Sequence, residues 1–419
     1  MRNAALAAFL IASPAAAQSA IFLHPDGMGA NTWAATRLLT VGPDGRLAWD
    51  RMQAAAYVGP MLDSVTASSN GGGTSHAWGV RAQSGSFGMV DGKPIAKAQS
   101  GADVPLMIEA RRAGKWIGIV NTASVTDAGT GTQIAVAANR RNHADIAAQM
   151  LAAEPQVMLG GGERWFLPRG VRGVHGDGGR EDGRNFVEEA RSKGYAVVFT
   201  AAELTALPSG TTKVLGLFAS ENTFAEGTEE QLRASGTPVF NPGAPRYADM
   251  VAAAIKVLRA APRGYYLMAE EEATDNLGSD NHAEGVLEAA RGADQAVAAA
   301  LAEAARDRRL TVVVASDSDC GGLQPTGDDA VAGQPLPARF ENGSPVDGVG
   351  GTGGVPFLAA PNAQGVRLPF AIAWAADGDA SGGGIVRAAG PGARVLPPTA
   401  DSTDVYRVLH AGLFGPRRR

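Results

Sequence analysis

Ala20-Ile21-Phe22-Leu23-His24-Pro25-Asp26-Gly27-Met28-Gly29 is the stretch on which the fold turns. A short apolar run of this kind is the mark of a buried strand. It ends in an aspartate and a glycine-rich turn. α/β proteins present ligand groups in this way, at the carboxyl edge of a sheet. Pro-Asp-Gly is also a favoured plain turn, so the rest of the chain has to decide.

Further apolar runs follow at Trp116–Asn121, Val157–Leu159, Ala196–Thr200, Val214–Phe218, Tyr265–Ala269, Leu310–Ala315 and Phe370–Ala375, with a weaker strand at Tyr57–Leu62. Helical stretches lie near Thr32–Leu39, Val104–Arg112, Gln133–Ala138, Phe186–Ser192, Tyr247–Ala260, Val286–Ala305 and Thr403–Leu413. This alternation predicts an α/β fold with a central, mainly parallel sheet flanked by helices on both faces. Pro325–Val366 breaks the pattern. It is rich in Gly, Pro and Asp and reads as an insertion, residues 325–366, over the sheet edge. No repeat or linker divides residues 18–419, so one domain is expected.

The start reads as an address. Arg2, the apolar Ala4–Ala12 and the small Ala15-Ala16-Ala17 make residues 1–17 a signal peptide, cleaved near Ala17. The mature chain is then exported, periplasmic or secreted. No later run is long and apolar enough for a membrane helix. A net charge of -5 and the absence of a basic stripe give no nucleic-acid surface. The single cysteine, Cys320, excludes an intramolecular disulfide.

A second stretch, Thr66–Arg81, contains Ser68-Ser69-Asn70-Gly71-Gly72-Gly73. Serine and asparagine favour helix N-termini, and glycines there let another group approach the backbone. A helix N-terminus attracts anions, and a serine placed on it suits attack on a phosphate or carbonyl. Acidic residues follow several strands: Asp26, Asp127, Glu270 to Glu272 with Asp275, and Asp317 with Asp319. Parallel strand ends converge, and converging carboxylates repel unless cations sit between them. The set predicts a divalent-metal site.

These residues resemble the alkaline phosphatase family along nearly the whole mature chain. Asp26-Gly27-Met28-Gly29 is similar to its first metal turn, and the Ser69 stretch through Arg81 to its nucleophile segment. Asp127 with Asn139-Arg140, Leu159 to Gly162, Asp182 to Asn185, Glu270 to Asp275, and Asp317 with Gly321-Gly322 follow in order. The resemblance implies hydrolysis of phosphate monoesters through a phosphoserine on Ser69, with Arg140 binding two phosphate oxygens. Asp26 would bridge two metals. Asp127 and Glu270 would complete an oxygen-rich Mg²⁺ site, and Asp275 and Asp317 would serve the two metals flanking the phosphoryl group. A homodimer is implied by the resemblance alone.

The departures from the family are in the ligands. Its usual histidines fall on Ser318, Ser279 and Asp379, and its Mg²⁺-site hydroxyl falls on Gly129, beside Thr130. A longer loop would let His282 stand in, and Asp280 and Asp319 are also near in sequence. His76 and His143 look like helix-surface residues. With imidazoles replaced by carboxylates and hydroxyls, the second and third sites favour Mg²⁺, Ca²⁺ or Mn²⁺ over the family's Zn²⁺. Two other readings use the same residues: a phosphodiesterase or related ester hydrolase, and a pseudo-phosphatase that binds phosphate or metal without turnover.

Overall fold

The computed structural model describes residues 18–327, 331 and 335–415, so the leader expected at residues 1–17 falls outside the described residues. Ten strands form one sheet. In chain order they are β1 (Ser19–Pro25), β2 (Gln53–Val58), β3 (Trp116–Ser124), β4 (Val157–Gly161), β5 (Ala196–Val198), β6 (Val214–Leu217), β7 (Tyr265–Glu271), β8 (Leu310–Val314), β9 (Ile385–Ala389) and β10 (Thr399–Asp401). Side by side the order is β10-β2-β9-β8-β1-β7-β3-β4-β6-β5. Only β9 runs against its neighbours, β8 and β2.

The helices that matter for the site are α1 (Ala30–Val41), α2 (Ser69–Trp78), α3 (Ala128–Gly131), α4 (Tyr247–Leu258), α5 (Ala273–Ser279), α6 (Ala283–Arg306) and α7 (Ser402–Phe414). Successive side chains of β1 enter different cores. Ile21 and Leu23 pack with Trp33 of α1, Met250 of α4 and Val297 of α6. Ala20 and Phe22 pack with Trp78 of α2 and Leu409 of α7. A strand buried on both faces has no polar position to spare, which is why it reads as an unbroken apolar run. The chain then supplies polar groups only where the strand ends.

Three elements differ from expectation. The strand expected at Tyr57–Leu62 runs earlier, as β2, Gln53–Val58. Gln133–Ala138 is irregular, and the helix nearby is the single turn α3, because Asp127 accepts from the Ala128 N–H at 2.7 Å and starts the helix early. The strand near Phe370 runs Pro369–Ala373 and belongs to a second sheet, with Gln324–Thr326, Val346–Gly348, Gly351–Thr352 and Phe357–Leu358. These short antiparallel strands carry too few residues for a period to show. Among the described residues, no helix is long and apolar enough to cross a membrane.

Candidate active site

The sheet register brings the acidic groups together. In the β1–β7 pair His24 lies opposite Glu270 and Pro25 opposite Glu271. Both strands end at the same edge, so Asp26 emerges beside the glutamates. Glu270 is fully buried and held from three directions. His24 Nδ1 lies 3.1 Å from one oxygen. Asn121 Nδ2 donates to the other at 2.6 Å, and the Thr130 N–H donates to it at 3.1 Å. A side chain at residue 129 would collide with this carboxylate, so Gly129 is the residue that lets it in. Thr130 is itself buried, with its hydroxyl donating to the Val125 carbonyl at 3.0 Å. Its part here is to position Glu270.

Strand alternation sends Glu271 to the opposite side. There Thr122 donates to it at 2.5 Å, and burial pushes its carboxyl up to about 8. Glu272 returns towards the cluster. Its Oε2 is buried without a hydrogen-bond partner, and burial, with Asp127 and Glu270 nearby, raises it well above the carboxylate range.

Ser69 is the first residue of α2, 7 % exposed, behind an extended Ser68 whose hydroxyl donates to the Ser84 carbonyl at 2.5 Å. The Ser69 side chain lies against Asp26 and helps keep that carboxylate ionised. The glycines of α2 let the helix end press on the sheet edge. A Cβ on Gly72 would run into Asp317, and one on Gly73 would lie 2.7 Å from the Thr132 hydroxyl. Helix propensity disfavours each glycine by about 1 kcal/mol, so close approach outweighs helix strength at this turn.

Asp26 and Asp317 meet without a donor between them. Both oxygens of Asp317 and Oδ2 of Asp26 are buried with no hydrogen-bond partner. Burial would raise both carboxyls. His24, the contact with Asp317 and Ser69 hold Asp26 low, while burial and the Asp26 charge push Asp317 well up. His24 is itself raised: burial works against its charge, but Asp26 and Glu270 together prevail. Unpartnered buried carboxylates are costly, and a divalent cation between them is the usual remedy. The residues present therefore fit divalent cations. His24, Asp26 and Glu270 form one group whose ligand atoms all lie within 4.8 Å of one another, and Asp275, Cys320 and Asp379 form another. Ser318 donates to Asp379 at 2.5 Å.

Asp127 takes a different place from the first group. Its Oδ1 starts α3 and also receives Arg140 at 2.5 Å. That pairing raises the Arg140 guanidinium, with Glu272 and Asp26 adding to the effect. Arg140 remains 39 % exposed beside the cluster, a cation open to an incoming anion.

Several sequence candidates sit elsewhere. His282 starts α6: its Nδ1 accepts from Gly285 at 2.9 Å and lies 3.2 Å from Glu229, so it is a helix cap rather than a member of either group. Asp280 accepts from the Gly227 N–H at 2.5 Å and ties down a loop. Asp319 is turned to the Gly29 N–H just before α1, and burial raises it to about 6. His76 is not on the surface. It is fully buried, 5.3 Å centroid to centroid from His24, and Tyr57 bonds its Nε2 at 3.3 Å. Three residues of the centre escaped the ligand assignment: His24, Glu272 and Cys320. His24 stood in plain view two residues before Asp26, but only the register with Glu270 shows its role.

The chain belongs to the alkaline phosphatase family, whose profile matches residues 17–346. Members are phosphatases, so this protein is a hydrolase of phosphate esters with an alkaline-phosphatase-like fold. In particular, it is 32 % identical over 345 residues to the streptomycin-6-phosphate phosphatase of Streptomyces griseus, covering 73 % of this chain and 74 % of the relative. The alkaline phosphatase of the Antarctic bacterium TAB5 superposes with a TM-score of 0.72 at 17 % identity, over 96 % of this chain and 100 % of that one. A histidine-to-aspartate variant of the TAB5 enzyme, solved with magnesium bound, has a TM-score of 0.69 at 18 % identity, over 94 % and 97 % of the two chains. Relatives thus bind divalent metal on this fold.

Proposed function

We propose that this chain hydrolyses phosphate monoesters in a divalent-metal-dependent reaction that passes through a phosphoserine on Ser69. The observation that carries the reading is Ser69 at the start of α2, lying against Asp26 at the edge where unpartnered carboxylates converge. The α2 N-terminus favours the negative charge of a phosphoryl group. Arg140, held by Asp127, offers its free N–H groups to two non-bridging oxygens. The Ser69 oxygen attacks phosphorus, the ester P–O bond breaks, and the alcohol leaves with a proton. Water then attacks phosphorus, the bond to Ser69 breaks, and inorganic phosphate departs with Ser69 reprotonated. Cations held by His24, Asp26 and Glu270, and by Asp275, Asp317 and Asp379, would lower the serine pKa and offset charge on the phosphoryl oxygens. Residues 1–17, read as a leader, favour action outside the cytoplasm, on a chain that works as one catalytic domain.

A chromogenic monoester and a diester, offered with Mg²⁺, Mn²⁺, Ca²⁺ and Zn²⁺ in turn, test the reading. Monoester turnover is expected with at least one metal. Ser69→Ala should lower it by about 10⁴-fold or more and abolish acid-trapped phosphoprotein. Turnover that survives Ser69→Ala would overturn the phosphoserine route. Inactivity with every metal would leave a binding protein in its place.

A further inference from the structure

We propose that Cys320 is a metal ligand whose sulfur joins Asp275 and Asp379 in holding one cation of the centre. The inference deepens the metal-dependent reading above and rests on it. Cys320 is the one cysteine of the chain and is 2 % exposed. It lies in a two-residue strand, Asp319–Cys320, paired antiparallel with Asp379–Ala380, and the register sets Cys320 opposite Asp379. Asp275 on α5 closes the triangle. The sulfur and one oxygen from each carboxylate lie within 4.8 Å of one another. The Ser279 hydroxyl touches the sulfur at 3.1 Å.

A cysteine beside two carboxylates is not yet a site. The independent sign is Asp317, buried, with both oxygens lacking a hydrogen-bond partner. Asp26, Asp379 and Asp275 all act on its carboxylate electrostatically, so it lies beside the same group. Among the described residues, no lysine or arginine forms an ion pair with Asp275, Asp317 or Asp379. A divalent cation supplies the missing charge and accepts the sulfur as a fourth donor beside the three carboxylates. Binding forms the sulfur–metal bond and releases the thiol proton to solvent.

This changes which metal the centre selects. Carboxylates and hydroxyls alone favour hard cations such as Mg²⁺. A thiolate among them turns the position towards Zn²⁺, Co²⁺ or Cd²⁺. The imidazoles absent at residues 279, 318 and 379 are then partly replaced by one softer ligand from residue 320. The rival account is a small buried side chain that only fills space. It predicts that the metals are indifferent to the sulfur.

Cobalt separates the two accounts. Metal-stripped full-length protein titrated with Co²⁺ should develop a near-ultraviolet sulfur-to-cobalt charge-transfer band, and with one cysteine the band has one source. Cys320→Ser should lose the band and keep visible cobalt bands from the remaining ligands. Its Cd²⁺ affinity should fall by about tenfold or more, with a smaller change for Mg²⁺. Cobalt bound to the wild type without the charge-transfer band would overturn the proposal, as would unchanged Cd²⁺ affinity in Cys320→Ser. Protein that binds none of these metals would sink the metal-dependent reading itself, and this inference with it.

Discussion

The two ends of the acidic cluster are built differently. At one end His24, Asp26 and Glu270 sit on or directly after β1 and β7, and hydrogen bonds from Asn121 and Thr130 fix Glu270. At the other end Asp275, Cys320 and Asp379 come from a one-to-two-turn helix and a two-residue strand pair. The first end is set by sheet register, which a buried parallel sheet leaves little freedom to change. The second hangs on loops, where ligand identity can change without disturbing the core. The positions where the resemblance expects histidines, 279, 318 and 379, lie at or beside the second end.

The largest effect should come from Asp26, which belongs to the first end and meets Asp317 between the two. Asp26→Asn keeps the size and removes the charge between His24 and Asp317. Turnover is expected to fall by about 10³-fold or more, with loss of bound metal by elemental assay. Metal content unchanged at both ends would break the comparison. Next is Gly129→Ser, which adds the hydroxyl that the resemblance expects at this position. The new side chain has no room beside Glu270. It should weaken Mg²⁺ binding by about 10- to 100-fold, while the Co²⁺ charge-transfer signal of the other end persists. Tighter Mg²⁺ binding would show that the first end is more yielding than its bonds suggest.

Asn121→Ala tests the support behind that end. It removes donors to Glu270 and to Thr130 at 2.6 and 3.0 Å. A loss of about 1–3 kcal/mol in stability is expected from chemical denaturation, with a smaller effect on turnover than Asp26→Asn. The smallest effect concerns the scaffold of the loop-borne end. Trp374 donates to Asp347 at 2.5 Å, and a Cβ on Gly321, next to Cys320, would lie 2.7 Å from the same ring. Burial raises the Asp347 carboxyl from 3.8 to about 6. A raised acid favours the fold while protonated, so this contribution is full below 3.8 and is lost as pH rises through about 6. Asp347→Asn should flatten the fall in melting temperature of metal-free protein over that window. A steeper fall would contradict the assignment.

The sheet was readable because buried parallel strands leave long apolar runs, and Ile21 to Leu23 or Leu310 to Val314 need no context to be seen. The small second sheet was not, since strands such as Gly351–Thr352 are held by partners far along the chain and not by their own composition. Gln133–Ala138 misled for a related reason: its residues suit a helix, but the Asp127 cap had already started α3 five residues earlier.

The site divides along the same line. The sequence by itself marked out the serine–glycine turn, the arginine and the acidic strand ends, because each is a local pattern of residue types next to a strand or helix end. Only the tertiary structure decided that His24 faces Glu270, that His76 is buried, that His282 is a helix cap, and that Cys320 stands opposite Asp379. Those facts depend on which strands lie side by side and in what register. Register is fixed by the burial of whole faces, and no single stretch of chain contains it.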